Sequence, residues 1–334
     1  MKKKKIDTEI LKKKDFGKLY RFYRQNFKDH IFSKYQNYLK WQYQSQKSKF
    51  NIIILKISGR IRGFQFFIPM SYFDKSLSKK EIFLTNFYCD PKIIGGGQII
   101  FKNLIKKVKP DFIGTTGFKT SMINYHKKLR FNVNTLKHFY LKKNKINKFK
   151  YNSENFKLLY KNDILGLEKK VFKYQTPLKS KKFIINRYIN HPVYKYFIYT
   201  NLKIKNKSII ILREIKFKNK KYLKIIDFFG SNTNFKDYKN LFNYLILEKK
   251  YFSIDMYCYG ISKKTVISSG LKKNTFKDII PEYYEPFVNK NINLNCGYYV
   301  KKKKNRIRLF KGDGDRDRPS ILSLNQKFKY NDFK

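Results

Sequence analysis

The sequence predicts an α/β (α+β) chain built as two similar halves in tandem. Three observations point there. A strand-type run, a glycine turn and a helix follow one another over residues 82–108. A β-hairpin over residues 50–68 feeds that unit. The same order of strands and helices then returns about 141 residues later.

Taken in order, residues 6–28 place Ile10, Leu11, Phe16, Leu19, Tyr20, Phe22, Tyr23 and Phe27 at helical spacing, with a broad apolar face. His30-Ile31-Phe32 and residues 38–43 extend this helical start, and Trp41 in it is the single tryptophan. Residues 50–57 and 61–68 are strand-type runs joined by Ser58-Gly59-Arg60, a hairpin pattern. The central strand, residues 82–89, is apolar and aromatic and stops at Asp90-Pro91. Lys92-Ile93-Ile94-Gly95-Gly96-Gly97 follows. Beyond it Ile100, Phe101, Leu104, Ile105 and Val108 share one helix face. Residues 111–118 read as a second short strand, 120–129 as a helix, and 138–141 as the last strand of this half. The Lys/Asn-rich residues 142–153 read as a linker.

The glycine turn has a physical use. At a helix start it exposes backbone N–H groups at the positive end of the helix dipole, with no side chain to obstruct an anion. A phosphate or pyrophosphate is the natural guest, and a plain loop is the alternative. No Gly-Lys-Ser/Thr follows, so it is not a Walker loop. The three glycines are contiguous, so it is not a dinucleotide GxGxxG.

In the second half, residues 184–188 resemble 39–43, strands at about 194–200 and 208–217 resemble the first hairpin, and 222–230 resemble the central strand. Residues 241–246 resemble 100–105, and 252–257 are placed like 112–117. The second turn, Gly230-Ser231-Asn232-Thr233-Asn234, has one glycine against three. Thr233 or Asn234 is expected to cap the helix after it. A capped start has fewer N–H groups left for a pyrophosphate, which assigns an anionic ligand to the first half.

The chain has 334 residues, with 77 Lys and Arg against 23 Asp and Glu, a formal net charge of +54. That balance alone suggests nucleic acid or an anionic membrane. However, the chain contains no alanine and is saturated with Lys, Asn, Ile, Phe and Tyr, residues that share A- and T-rich codons. The lysines are also spread over nearly every segment, so a biased genome accounts for the charge. Cys89, Cys258 and Cys296 form no CxxC pair, and neither a disulfide framework nor a metal site is expected. No run of 18 apolar residues occurs, and no apolar segment follows the basic start. The expectation is a cytoplasmic protein without a transmembrane segment.

Near the C-terminus, Lys311-Gly312-Asp313-Gly314-Asp315-Arg316-Asp317-Arg318-Pro319 crowds three of the 23 acids into five residues. It is not an EF-hand, since Arg318 stands at the sixth position and Leu324 where the bidentate Glu belongs. A solvated acidic turn paired with its own arginines is one reading. A tail folded over a cleft is the other.

Together these residues resemble the GNAT acyltransferase superfamily. Its coenzyme A loop reads Gln/Arg-x-x-Gly-x-Gly/Ala after a strand, and here Lys92, Gly95 and Gly97 take those places. Its Tyr-x-x-Leu-Gly-Phe motif is similar to residues 126–131, with His126 at the Tyr position, Tyr125 beside it, and Arg130 in place of Gly. The 311–319 stretch resembles a tail found in GNAT-like proteins of bacterial surface-polysaccharide synthesis.

The resemblance implies two tandem GNAT-like domains, each a mixed, mostly antiparallel sheet flanked by helices. Their boundaries are 1–145 for acyl-CoA binding and 154–300 for the repeat, with a tail over 301–334. It implies acetyl-CoA or another acyl-CoA as donor and an amine, an amino sugar, as acceptor. Phe87, Tyr88, Cys89, Lys92, Gly95, Gly96, Gly97 and Gln98 would hold the donor. Trp41, Asp313, Asp315 and Asp317 would face the acceptor. Glu81, Asp90 or a tail carboxylate would serve as base, and Tyr125 or His126 would protonate the leaving thiolate. Two other readings stand beside this one: a Fem-type aminoacyltransferase that draws on aminoacyl-tRNA, and a basic nucleic-acid-binding protein without catalysis.

Overall fold

The structure is a computed structural model that describes residues 6–28, 30–143, 155–203, 207–217, 219–275, 277–280, 291–302 and 304–319. Most of the expected linker, and residues 320–334 of the tail, lie outside these.

The chain opens with β1 (Ile6–Lys12), α1 (Lys13–Asn26), α2 (Ile31–Lys34) and α3 (Gln36–Tyr43). The helical spacing expected from residue 6 thus gives way to a strand. β1 lies antiparallel along β3 (Lys49–Ile57), pairing Ile10 with Ile53. Open N–H and C=O groups on a β3 edge must find partners, and that demand outweighs local periodicity. The short β2 (Gln44–Gln46) also pairs with β3, and β4 (Arg60–Pro69) completes the expected hairpin.

Next come β5 (Glu81–Cys89), α4 (Gly96–Val108), β6 (Phe112–Phe118), α5 (Ile123–Lys128) and β7 (Asn132–Lys142). The second half follows with β8 (Phe156–Leu158), α6 (Lys161–Leu165), α7 (Lys181–Ile184), β9 (Tyr196–Asn201), β10 (Ile209–Phe217) and β11 (Lys220–Phe229). It ends with α8 (Lys239–Leu247), β12 (Ser253–Tyr259), α9 (Lys263–Ser268), β13 (Lys272–Lys273), β14 (Leu294–Val300) and β15 (Leu309–Phe310).

One mostly antiparallel sheet runs β1-β3-β4-β5-β6-β14-β7-β12-β11-β10-β9-β8. Only β5/β6 and β11/β12 pair in parallel among these strands. The sheet is shared by strand exchange. β14, late in the sequence, sits between β6 and the first residues of β7. The rest of β7, from Lys137 to Lys142, pairs with β12 of the second half. The expected boundary near residues 145–154 lies outside the described residues, and the sheet runs on between the strands that flank it.

Alternate strand residues face opposite sides. Ile53 and Leu55 meet Ile100 and Leu104 of α4 in one core, while Ile210 and Leu212 meet Leu241 and Leu245 of α8 in its counterpart. Ile52 and Ile54 join Ile209 and Ile211 in a third core that spans both halves. A buried cluster pins the joint. His138 Nε2 lies 3.0 Å from Asp255 Oδ2, its ring stacks 3.9 Å from Tyr257, and Lys224 pairs with Asp255.

Candidate active site

β5 and β6 pair in parallel only from Glu81↔Phe112 to Leu84↔Thr115. Just past that point β5 bulges against β4, its register slipping between Gln65↔Phe87 and Phe67↔Leu84. A bulge bends a strand and increases its twist. The two parallel strands part and leave a wedge, a cleft of about 550 Å³.

One end of this cleft is apolar, lined by Phe87, Cys89, Pro91, Gly97, Ile100, Phe101, Tyr125 and Leu129. The turn leading to it is built by Asp90, whose Oδ1 accepts from Lys92 N at 3.0 Å and whose carbonyl accepts from Ile93 N at 2.9 Å. Gly95 then takes a left-handed φ of 72° that favours glycine, and no side chain caps α4. By position, the N–H groups of Gly97 and Gln98 have no helical acceptor. A Cβ on Gly96 would lie 2.4 Å from Cys89 Sγ, so glycine there lets the helix close on the strand.

Tyr125 reaches from α5 and donates to Gly97 O at 3.0 Å. Burial, with a smaller contribution from nearby Cys89, pushes its hydroxyl up to about 12, so it stays protonated at neutral pH. His126 belongs to the wall. Its Nδ1 lies 2.8 Å from Met122 O and its ring stacks 4.2 Å from Phe118. Burial holds it below the ordinary histidine value, hence neutral.

The other end of the cleft is polar, lined by Thr85, Asn86, Thr116, Gly117, Lys119, Asp315, Arg316 and Arg318. The tail residues arrive here because their neighbours are anchored below. Asp313 pairs with Lys179 at 2.8 Å, and Lys179 also holds Asp227 at 2.6 Å. Burial works against the Lys179 charge, but the two carboxylates outweigh it and hold its ammonium above the ordinary value. Asp317 pairs with Arg213 at 2.5 Å and accepts from Tyr196 OH at 2.7 Å. Between these anchors, Asp315 Oδ2 accepts from Asn86 at 2.7 Å, Arg318 at 2.8 Å and Tyr43 OH at 3.3 Å.

The residues expected from sequence thus divide. Phe87, Tyr88, Cys89, Gly97, Tyr125, His126 and Asp315 line the cleft. Lys92, Gly95, Gly96 and Gln98 form the turn and first helical residues beside it. Glu81 sits at the opposite end of β5, paired with Lys304. Asp90 pairs with Arg62 at 3.3 Å and braces the turn. Asp313 and Asp317 face away, into buried ion pairs, so they are anchors and do not face an acceptor. Trp41 packs at the joint against Phe73 and His191 and does not line this cleft. Sequence reasoning missed Asn86, Arg316 and Arg318. The alternation of Asp with Arg in 313–318 was the available signal.

No protein-family model and no curated protein matches the sequence. Solved structures do resemble it. A conserved protein of Enterococcus faecalis V583, described as a probable N-acyltransferase, aligns with a TM-score of 0.57 at 9% identity, covering 89% of this chain and 73% of that one. A GCN5-related N-acetyltransferase from Anabaena variabilis ATCC 29413 gives 0.56 at 10%, covering 89% and 73%. One from Kribbella flavida gives 0.57 at 6%, covering 89% and 71%. The fold is therefore GNAT-like over most of the chain.

Proposed function

We propose that the protein is a cytoplasmic acyl-coenzyme A-dependent N-acyltransferase acting on an amino sugar or nucleotide sugar for a cell-surface polysaccharide. The observation that carries the reading is the wedge between β5 and β6, which opens beside an uncapped glycine start of α4. The N-acetyltransferase names of the similar structures support it.

The donor's pyrophosphate would take the first-turn N–H groups of α4, with Lys92 nearby. Its pantetheine arm would lie along residues 85–89, where the β5 edge has left β6. An acyl-CoA fits this end because its lining is apolar and glycine keeps the turn open. The acceptor ammonium would meet Asp315, the one carboxylate lining the cleft among the described residues. Asp315 takes one proton, directly or through water, and the freed amine attacks the thioester carbonyl. The C–N bond forms and the C–S bond breaks. Tyr125 gives its proton to the departing thiolate and regains one, through water, from the second amine proton lost as the amide forms; Asp315 then releases its proton to solvent, one per turnover.

Calorimetric titration with acetyl-CoA tests the reading. Saturable binding is expected, weakened about tenfold by Gln98→Glu, which sets a negative charge in the first helical turn. Gly96→Glu would be a poor probe, since its Cβ collides with Cys89. No binding by the wild type sinks the proposal. Binding of aminoacyl-tRNA in place of acetyl-CoA moves it to a Fem-type enzyme.

A further inference from the structure

Among the described residues, the charged groups that line the cleft are Lys119, Asp315, Arg316 and Arg318, three cations against one carboxylate. They are unevenly placed. Arg318 lies on the β5 wall beside the carboxylate, donating to Asp315 at 2.8 Å and to Asn86 Oδ1 at 3.2 Å. Arg316 lies on the β6 wall, stacked over Gly117. A Cβ on Gly117 would come within 2.5 Å of Arg316 Nε, and Gly117 has a φ of 74°. Glycine there admits the guanidinium. Thr116 fastens the same stretch, its Oγ1 donating to Asp313 O at 3.3 Å. The carboxylate and this guanidinium therefore face the cleft from opposite walls, each held by its surroundings.

A simple ammonium entering such a cleft meets a net positive wall, which repels it. A molecule that carries its own anion beside the amine does not. We propose that the acceptor bears an anionic oxygen group, phosphate or carboxylate, close to its amine. Asp315 takes the ammonium, and Arg316 takes the anion through its planar donor fork. This rests on the acyltransferase reading and narrows it, because an unmodified amino sugar lacks the second charge. The donor's phosphates are served elsewhere, at the glycine turn on the apolar end.

Three probes test the inference: glucosamine, glucosamine 1-phosphate and 2-amino-2-deoxyglucuronic acid. Binding of each is measured by calorimetry with and without saturating coenzyme A. At least one anionic probe is expected to bind about tenfold tighter than glucosamine, an order of magnitude fit for a charged pair. Whichever anionic probe binds tighter names the anion. Arg316→Gln is expected to erase that preference, Arg316→Lys to retain part of it, and Asp315→Asn to weaken all three probes. Equal binding of the three probes, or no binding of either anionic one, overturns the inference. So does an Arg316→Gln effect that falls equally on coenzyme A, which would make Arg316 a donor contact. Failure of coenzyme A to bind the wild type, with the anionic preference intact, would instead count against the acyl-CoA donor alone.

Discussion

The two halves make the same wedge and treat it differently. Parallel pairing stops at Leu84↔Thr115 in the first half and at Ile225↔Met256 in the second. Each central strand then bulges, and the offset of 141 residues sets Ile226 on Thr85 and Asp227 on Asn86. In the second half the chain fills its own wedge. Leu309 and Phe310 pair with Tyr259 and Cys258, Gly312 N donates to Ile226 O at 3.0 Å, and Arg308 donates to Gly230 O at 2.8 Å. In the first half the equivalent space is the cleft. A parted strand edge leaves backbone groups that need partners. One half supplies them from its own chain, and the other, on the function proposed above, would leave them for a ligand. On the same proposal, an amide of the donor would meet Thr85 O as Gly312 N–H meets Ile226 O.

The same segment serves both wedges. Residues 308–312 close the second, and residues 313–318 furnish the polar end of the first. Breaking the anchor between them should have the largest effect. Lys179→Met would leave Asp227 and Asp313 buried without their cation, and a loss of about 3–5 kcal/mol is expected. A urea midpoint that does not move would show that this triple does not hold the segment. Asp315→Asn should spare the fold and lower kcat/KM about 10²–10³-fold, or about 3–4 kcal/mol in the barrier. Steady-state thiol release reads this directly, and unchanged turnover would free Asp315 from the chemistry.

Two glycines, one at each wedge, sharpen the contrast between the filled and the open one. A Cβ on Gly312 would press on Tyr188 OH at 2.6 Å and Ile226 O at 2.9 Å, whereas one on Gly97 would meet Phe87 Cζ at 3.1 Å and nothing nearer. Gly312→Ala should cost about 1–3 kcal/mol of stability. Gly97→Ala should cost less in stability and act mainly on donor binding. Thermal melts of the two variants side by side decide this, and the reverse order would contradict a filled second wedge.

The smallest effect per residue concerns pH. His30, His126, His138 and His191 all lie below the ordinary value of 6.5, with burial as the first cause in each. For His191 the charges of Arg187 and Arg213 push the same way, while Asp255 partly opposes the shift of His138. The unfolded chain therefore takes up protons first as pH falls. Stability from these groups is full above about 6.5 and is lost as pH drops towards the folded values. Denaturation at pH 7.5 and 5.5 should show the loss, and equal midpoints would exclude it.

The second turn shows how local reading fails. Thr233 or Asn234 was the expected cap of the helix after Gly230. Instead residues 232–238 form a 3₁₀ helix without a side-chain cap, and α8 begins only at Lys239. Ser231 Oγ turns to Thr233 Oγ1 at 2.9 Å. Residues 308–312 occupy the space beside this turn, a closure that no local cap signals.

The sequence by itself determined the elements around the first cleft and their order, though not β1 or the start of α8. Hairpin, central strand, glycine turn and helix follow from side-chain period and turn chemistry, which are local properties of the chain. It also set the left-handed turn at Gly95 and the apolar face of α4. Only the tertiary structure decided the exchange of β7 and β14, the closing of the second wedge, and which tail carboxylate meets the cleft. Asp313, Asp315 and Asp317 are alike in sequence. Their roles separate through partners more than 80 residues away, Lys179, Asn86 and Arg213. Ion pairing in a dry interior depends on which charges the fold brings within reach, and chain spacing carries no record of that.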